Sequence, residues 1–239
     1  MEKGTNIFLT GIFFLLLNIS TEAQIAEGAL IRGSADAVYI VVNGKACWVS
    51  SQNIFNLLEL DWKNVKTIPD SELKNIPRGW LVVQGGGNAV YIVNYGIAFR
   101  ITDVSTFTRL GFEKSQIRTV PEEKLKKIPQ QPLLIKGNYA AVYLLDNGKL
   151  CWIPGEKIFK ALGYNMKSVI KINDETIAKF SKTPLLIRGS DQKIFLVDKD
   201  KRYWISSAAL FDKLGYDWNS IFLVSDIQLR NIQEGDPIR

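Results

Sequence analysis

The chain has 239 residues, of which 46% are hydrophobic and 23% charged, so its composition is that of a globular protein with a real core rather than a disordered or collagen-like one. It contains no histidine and two cysteines, which excludes Ser-His-Asp and Cys-His nucleophiles, histidine-based zinc sites and cysteine-rich metal sites, and no cofactor is expected. The formal net charge of +6 comes from dispersed basic residues, a pattern that does not favour a nucleic-acid partner.

The N-terminal segment 1–23 is predicted to be a signal peptide. The short apolar run 7-IFLTGIFFLLL-17 follows Lys3, and 21-TEA-23 places small residues at the −3 and −1 positions of a cleavage site. A retained N-terminal anchor is the alternative, although the run is short for a membrane span. The mature chain would be secreted (extracellular or periplasmic), would lack a membrane span, and would carry 29 basic against 22 acidic residues. That balance of +7 suits attraction to anionic polymers, or simply keeps the protein soluble.

The sequence contains four tandem repeats of one 52-residue unit, without insertion or deletion. The positions that recur include Gly33, Gly85, Gly137 and Gly189, and also Phe55, Phe107, Phe159 and Phe211. The repeats cover residues 28–79, 80–131, 132–183 and 184–235, here called units one to four. We therefore interpret residues 24–239 as a single repeat domain.

Each unit has the same predicted elements. An apolar run that ends in glycine, 30-LIRG-33 in unit one, predicts a first strand, and 38-VYIVV-42 followed by Asn-Gly predicts a second strand and a hairpin turn. The third strand is 46-ACWVS-50, followed by a short helix around the recurring phenylalanine and a further short apolar segment. A polar turn then places an acidic residue, Asp70 in unit one, like a helix N-cap.

This pattern predicts a mainly β fold with short helices. A four-bladed β-propeller is favoured over an open β-rich repeat stack, because an open stack needs polar end units and units one and four are as apolar as the middle ones. Apolar residues on both faces of the central strands also suit sheets packed between neighbours.

Two stretches carry a resemblance to a known family: 31-IRGSADAVYIVVNGKACW-48 and 135-IKGNYAAVYLLDNGKLCW-152. In them an apolar strand ends before glycine and is followed by "VYxxxxGKxxW", which resembles the hemopexin-like four-bladed propeller and extends over all four units. The resemblance implies a non-catalytic extracellular binding module with an ion in its central channel, and no haem ligation carries over because histidine is absent. The segments 162-LGY-164 and 214-LGY-216 depart from that pattern and resemble uncharacterised repeats of secreted bacterial proteins.

The two cysteines occupy one slot of the repeat. Cys47 and Cys151 lie where the other units have Phe99 and Tyr203, which indicates a packing position. Opposite blades, or units that are not neighbours in a stack, keep the two thiols apart, so no disulfide is predicted.

The next position holds the candidate ligand-binding residues Trp48, Arg100, Trp152 and Trp204. Because side chains alternate along a strand, this slot lies on the face opposite the cysteine slot. That face admits arginine and serine, so we expect it to be partly buried. Its tryptophans could stack on sugar rings or cations, or could instead seal contacts between blades or against a helix.

Residues before the recurrent glycine form a second candidate set: Arg32, Gln84, Lys136 and Arg188. If the first strand is innermost, these side chains would line a channel mouth and attract an anion; otherwise they are solvated strand-end groups.

No carboxylate pair has the spacing of an acid/base couple, since Asp103, Glu122, Asp174 and Asp226 occupy turn or cap positions. The sequence therefore predicts a secreted, non-enzymatic repeat domain that binds an envelope glycan or an extracellular protein. A structural surface or matrix component is the alternative. A histidine-independent polysaccharide hydrolase or lyase is less favoured, because fourfold repetition distributes residues for packing.

Overall fold

A computed structural model of the chain describes residues 25–239, and the predicted signal peptide, residues 1–23, lies outside that range. The described part of the chain is mainly β with short helices, as predicted. It contains no helix that is long and apolar enough to cross a membrane.

The elements repeat with the period of the sequence. Unit one contains β1 (Leu30–Arg32), β2 (Val38–Val42), β3 (Lys45–Val49), α1 (Gln52–Leu57), β4 (Val65–Thr67), α2 (Asp70–Asn75) and β5 (Arg78–Gly79). Unit two contains β6 (Leu81–Gln84), β7 (Val90–Asn94), β8 (Ile97–Ile101), α3 (Val104–Arg109), β9 (Ile117–Thr119) and α4 (Glu122–Leu125). The strand β10 (Gln130–Lys136) crosses from unit two into unit three.

Units three and four continue the series. Unit three contains β11 (Val142–Asp146), β12 (Lys149–Trp152), α5 (Glu156–Ala161), β13 (Ile170–Lys171), α6 (Asp174–Ala178) and β14 (Ser181–Thr183). Unit four contains β15 (Leu185–Arg188), β16 (Ile194–Asp198), β17 (Lys201–Trp204), α7 (Ala208–Lys213), β18 (Ile221–Leu223), α8 (Asp226–Arg230) and β19 (Gln233–Glu234). A single 3-10 turn precedes the fourth strand of each unit: Trp62–Asn64, Lys114–Gln116, Met166–Ser168 and Trp218–Ser220.

The sheet of each unit combines antiparallel and parallel neighbours. In unit one the order is β4-β1-β2-β3-β5, with β1-β2-β3 antiparallel and the two outer strands parallel to their partners. The outer strand β5 directly precedes the first strand of unit two, so units one to three are each completed by the segment that leads into the next unit. In β10 that segment is continuous: Gln130–Pro132 pairs with β8, and Leu133–Lys136 pairs with β11.

The predicted hairpin turns are confirmed. Asn43 and Gly44 have φ values of 49° and 68°, and Asn147 and Gly148 have 46° and 70°. Positive φ at both central residues is the type I′ geometry that matches the twist of the flanking strands, and Asn-Gly adopts it readily.

The recurrent glycine and the recurrent acidic residue of each unit are in contact. A Cβ atom on Gly33 would lie 2.1 Å from Oδ1 of Asp70, and one on Gly137 would lie 1.9 Å from Oδ1 of Asp174. The N-cap assigned to Asp70 from sequence is wrong: Pro69 precedes the helix, Asp70 is its first residue, and its carboxylate accepts hydrogen bonds from Ser34 instead. The acidic residue thus links the turn after the first strand to the last helix of the unit by hydrogen bonds.

The four-bladed propeller is not confirmed, since the strands form three separate sheets of five, nine and five strands and none of them closes. The hydrophobic core is likewise divided among consecutive units. Leu30 lies in a cluster shared by units one and two, Val82 in one shared by units two and three, and Leu134 in one shared by units three and four. At the two ends, Ile31 and Leu186 belong to separate clusters, each formed by one unit and by a residue that flanks it, Ile25 or Ile238.

Both cysteines are buried free thiols in these shared clusters, as expected of packing positions. Cys47 lies between units one and two, and Cys151 between units three and four. Burial raises the pKa of each thiol to about 11, which keeps it protonated at neutral pH.

Candidate functional site

The tryptophan slot lies on a partly exposed aromatic face, as predicted. Trp48 is half-buried and is the cross-strand partner of Tyr39, whereas Trp152 is 49% exposed and is the partner of Tyr143. Directly opposed side chains on antiparallel strands lie close enough to pack against each other. The aromatic surface therefore continues across the hairpin of each of these units.

In units one, two and three this slot borders a groove. The groove lies between the third strand, the loop before the second strand, the short helix and the 3-10 turn, and it encloses about 350, 770 and 750 Å³ respectively. The residues that line all three grooves at equivalent positions include Ala37, Ala89 and Ala141; Val38, Val90 and Val142; Trp48, Arg100 and Trp152; Phe55, Phe107 and Phe159; and Trp62, Lys114 and Met166.

The recurrent phenylalanine forms the floor of the groove, and the 3-10 turn places a second large side chain over it. In unit one, Phe55 is buried and Trp62 stacks on it with ring centroids 4.3 Å apart. In unit four, Phe211 and Trp218 are 4.2 Å apart. Trp62 and Trp218 are still 53% and 47% exposed, so each presents a ring face or edge to solvent.

The 3-10 turns are held by capping side chains. Asp61 accepts a hydrogen bond from the backbone of Lys63 at 2.9 Å, and Asn165 does the same for Lys167 at 2.9 Å. In unit three the turn begins with Met166, which is 50% exposed and takes the position of the tryptophan. A flexible thioether there gives the groove of unit three an adaptable apolar wall.

Sequence reasoning missed Trp62, Met166 and Trp218. The signal was present, because 61-DW-62 and 217-DW-218 are 156 residues apart and therefore occupy the same position of the repeat. A small polar cap followed by a large side chain at the start of a 3-10 turn is what presents these residues at the surface.

The grooves differ in polarity from unit to unit. Unit two has Arg100 and Lys114 where unit three has Trp152 and Met166, so its groove is the polar variant of the series. In unit four, Nζ of Lys193 lies 5.1 Å from the ring centroid of Trp204, within the range of a cation–π contact.

Two of the carboxylates beside the grooves, Asp103 and Glu156, are occupied by structural contacts. Asp103 accepts hydrogen bonds from the backbone and the hydroxyl of Thr106 at the start of α3, at 2.7 and 2.5 Å. Glu156 pairs with Lys160 at 2.6 Å, which lowers the pKa of that carboxyl. Neither of these carboxylates is paired with a second one in the manner of an acid/base couple.

The four strand-end residues proposed to line a channel lie at the end of the first strand of each unit, and that strand is flanked on both sides. Arg32 donates from Nε to Oγ1 of Thr67 at 3.2 Å, Gln84 donates to the carbonyl of Gly87 at 2.8 Å, and Arg188 donates to Gln192 at 3.4 Å. These contacts stay within single units. The role of Arg32, Gln84, Lys136 and Arg188 at a channel mouth stays a prediction.

No protein-family model and no curated protein matches the chain. The solved structures to which it is similar include the periplasmic assembly from the ESX-5 inner membrane complex, at 12% identity over 92% of this chain and 96% of the other, with a TM-score of 0.21. An intact ESX-5 inner membrane complex is similar at 12% identity over 92% of this chain and 81% of the other, with a TM-score of 0.20.

Proposed function

We propose that the chain is a secreted, non-catalytic module that binds a glycan in the aromatic grooves of its repeats. The observation that carries the proposal is the pairing of Phe55 with Trp62 and of Phe211 with Trp218, which leaves a large aromatic surface half exposed at the same place in two units. An evenly repeated binding surface suits a ligand that is itself a repeat.

Sugar rings would bind by their apolar faces. The C–H groups of a pyranose ring pack on an aromatic ring, and its hydroxyls remain free to bond to polar groups at the rim. In unit three, Trp152 supplies the ring and Asn165 and Lys160 lie at the rim. In unit two, Arg100 supplies a guanidinium plane instead of an indole.

We further propose that the four units form an open row, the alternative to the propeller. Support comes from the first strand, whose alternate side chains face opposite neighbours. Leu134 packs toward unit four and Ile135 toward unit two, whereas Leu186 and Ile31, the counterparts at the two ends, lie in clusters that include no residue of another unit. In a closed ring those two residues would meet in a shared cluster.

An open row places the grooves in series, which suits a linear polymer. A hydrolase or lyase is not favoured, because Asp103 and Glu156, the carboxylates in the grooves of units two and three, are engaged in a helix cap and an ion pair. The chain also has no histidine to serve as a general base.

The test is a glycan array probed with the labelled mature chain and with a variant that carries Trp62→Ala, Trp152→Ala and Trp218→Ala. We expect the wild type to bind a defined set of oligosaccharides and the variant to lose that binding while keeping its circular dichroism spectrum. Equal binding by both proteins would contradict the role of the grooves. Binding to no glycan by a folded wild type would contradict the proposed function.

A further inference from the structure

A cleft distinct from the three grooves lies where unit three approaches units one and two. It encloses about 500 Å³ and is formed by the sheet of unit one, the hairpin of unit two and the segment that runs from Met166 to Lys171 in unit three. Trp48 and Tyr95 meet edge to face in its wall, with ring centroids 4.9 Å apart. Tyr95 is presented by the turn of the second hairpin, where its φ is 49°, and it is 45% exposed.

Three cationic side chains line this cleft: Arg78, Lys167 and Lys171. No acidic side chain among residues 25–239 lines it. All three are exposed, and none of them makes an ion pair with another residue of the described range. The guanidinium of Arg78 lies 4.4 Å from the ring centroid of Tyr39, which orients it without neutralising it. The cleft thus combines aromatic rings with uncompensated positive charge.

The repeat itself provides a comparison for these cations. Adding 52 to each number gives the equivalent position one unit further on, and there the chain has Gln130, Asn219 and Leu223, together with Asp146 in place of Asn94. The same fold is therefore compatible with neutral residues and an acid at these places. Packing does not require the three cations, which leaves them available to an anionic ligand.

The cleft also adjoins two of the grooves. Trp48 lines both the groove of unit one and the cleft, and Met166 lines both the groove of unit three and the cleft. A chain of sugar rings that occupies the two grooves would pass Arg78, Lys167 and Lys171 on its way from one to the other.

We propose that this cleft selects a glycan whose rings carry carboxylates, a polyuronate, which lies across the grooves of units one and three. The sugar rings pack on Trp48 and Tyr95. A guanidinium binds a carboxylate with two parallel hydrogen bonds, and the two lysines add charge that draws in an anionic polymer. The inference rests on the proposed function, because it names the ligand class of the same row of grooves.

The experiment compares an oligogalacturonate with its fully methyl-esterified form, which has the same rings and no charge. Titrations use the mature wild type, the variant Arg78→Gln, Lys167→Asn and Lys171→Leu, and a control with Lys127→Gln, Lys179→Gln and Lys213→Gln. The first variant introduces the residues that the repeat already has at the equivalent positions, which guards against misfolding. The control removes the same number of exposed positive charges away from the cleft.

We expect the wild type to bind the oligogalacturonate at least 10-fold more tightly than the ester. The cleft variant should lose that preference, and the control should keep it. A wild type that binds both oligosaccharides equally, or a control that loses the preference as fully as the cleft variant, would overturn the carboxylate assignment while leaving glycan binding intact. If neither oligosaccharide binds but other glycans do, the ligand class is wrong; if no glycan binds, the proposed function fails with it.

Discussion

The carboxylate of Asp70 accepts two hydrogen bonds from Ser34, one from the backbone N–H at 2.8 Å and one from the hydroxyl at 2.6 Å. Asp226 makes the same pair of bonds with Ser190, at 2.8 and 2.7 Å. A carboxylate that accepts a backbone N–H joins two distant segments of a unit by a charge-assisted bond. The carboxylate can approach the end of the first strand because the glycine there, Gly33 or Gly189, has no Cβ.

We expect Gly33→Ala to destabilise the protein, because the new Cβ would lie 2.1 Å from Oδ1 of Asp70. Overpacking of this kind costs about 1–3 kcal/mol in the free energy of unfolding, measurable by urea denaturation. Gly87→Ala is the matched control, since a Cβ there has no atom within 4 Å. Equal unfolding free energies for the two variants would contradict the steric role of Gly33.

Acid should weaken the hydrogen bonds that Asp70 and Asp226 accept from Ser34 and Ser190. The hydrogen bonds from Ser34 and Ser190 lower the pKa of Asp70 and of Asp226 below the ordinary value of about 3.9. Their contribution to stability is therefore fully present above that value and is lost as the pH falls through the lowered folded-state pKa. The double variant Asp70→Asn and Asp226→Asn should show a shallower loss of unfolding free energy below pH 4 than the wild type, and parallel curves would refute the assignment.

Much of the fold could be predicted from the sequence, and part of it could not. Local sequence patterns predicted the 52-residue period, the strands and the Asn43-Gly44 turn. The turn preference of glycine and the apolar periodicity of strands are both visible within a few residues. The contact between Gly33 and Asp70 spans the unit and has no local signature. The exposed tryptophans of the 3-10 turns were missed for a different reason. The pairs 61-DW-62 and 217-DW-218 share one position of the repeat, but units two and three have Lys114 and Met166 there, so the position does not recur as an aromatic one.

Ring closure could not be decided from apolar content alone. The end units were expected to be polar in an open row, yet Ile31 and Leu186 are buried in clusters of their own units. Unit one covers Ile31 with Leu73 and the partly buried Ile68 and Ile76. In the proposed open row, an end unit is therefore as apolar as a middle one because its own helix and turn cover the outer face.

The thiols of Cys47 and Cys151 should be unreactive in the folded chain. Burial raises the pKa of each to about 11, and the thiolate is the reactive form. We expect an Ellman assay at pH 8 to show two thiols only after denaturation, with the native protein reacting at least 100-fold more slowly. Rapid reaction of either thiol in the native state would contradict the packing role of this slot.

The stacked pair in unit one should contribute to stability as well as to binding. Trp62→Ala removes a ring that stacks on Phe55 at 4.3 Å, and an aromatic pair of this kind contributes about 0.5–1.5 kcal/mol beyond burial. Trp62→Phe keeps a stacked ring and should recover most of the loss in urea denaturation. If the two variants unfold alike, the stack does not stabilise the unit.

The central claim is that the exposed aromatic groove binds sugar, and isothermal titration of an array-selected oligosaccharide into the wild type and Trp152→Ala tests it most directly. Trp152 is 49% exposed, so its removal should leave the unfolding free energy nearly unchanged while weakening binding at least 10-fold. Ile227→Ala, which removes a side chain 65% exposed and outside the lining of the grooves of units one to three, serves as the control and should bind like the wild type. Unchanged affinity in Trp152→Ala would contradict the account.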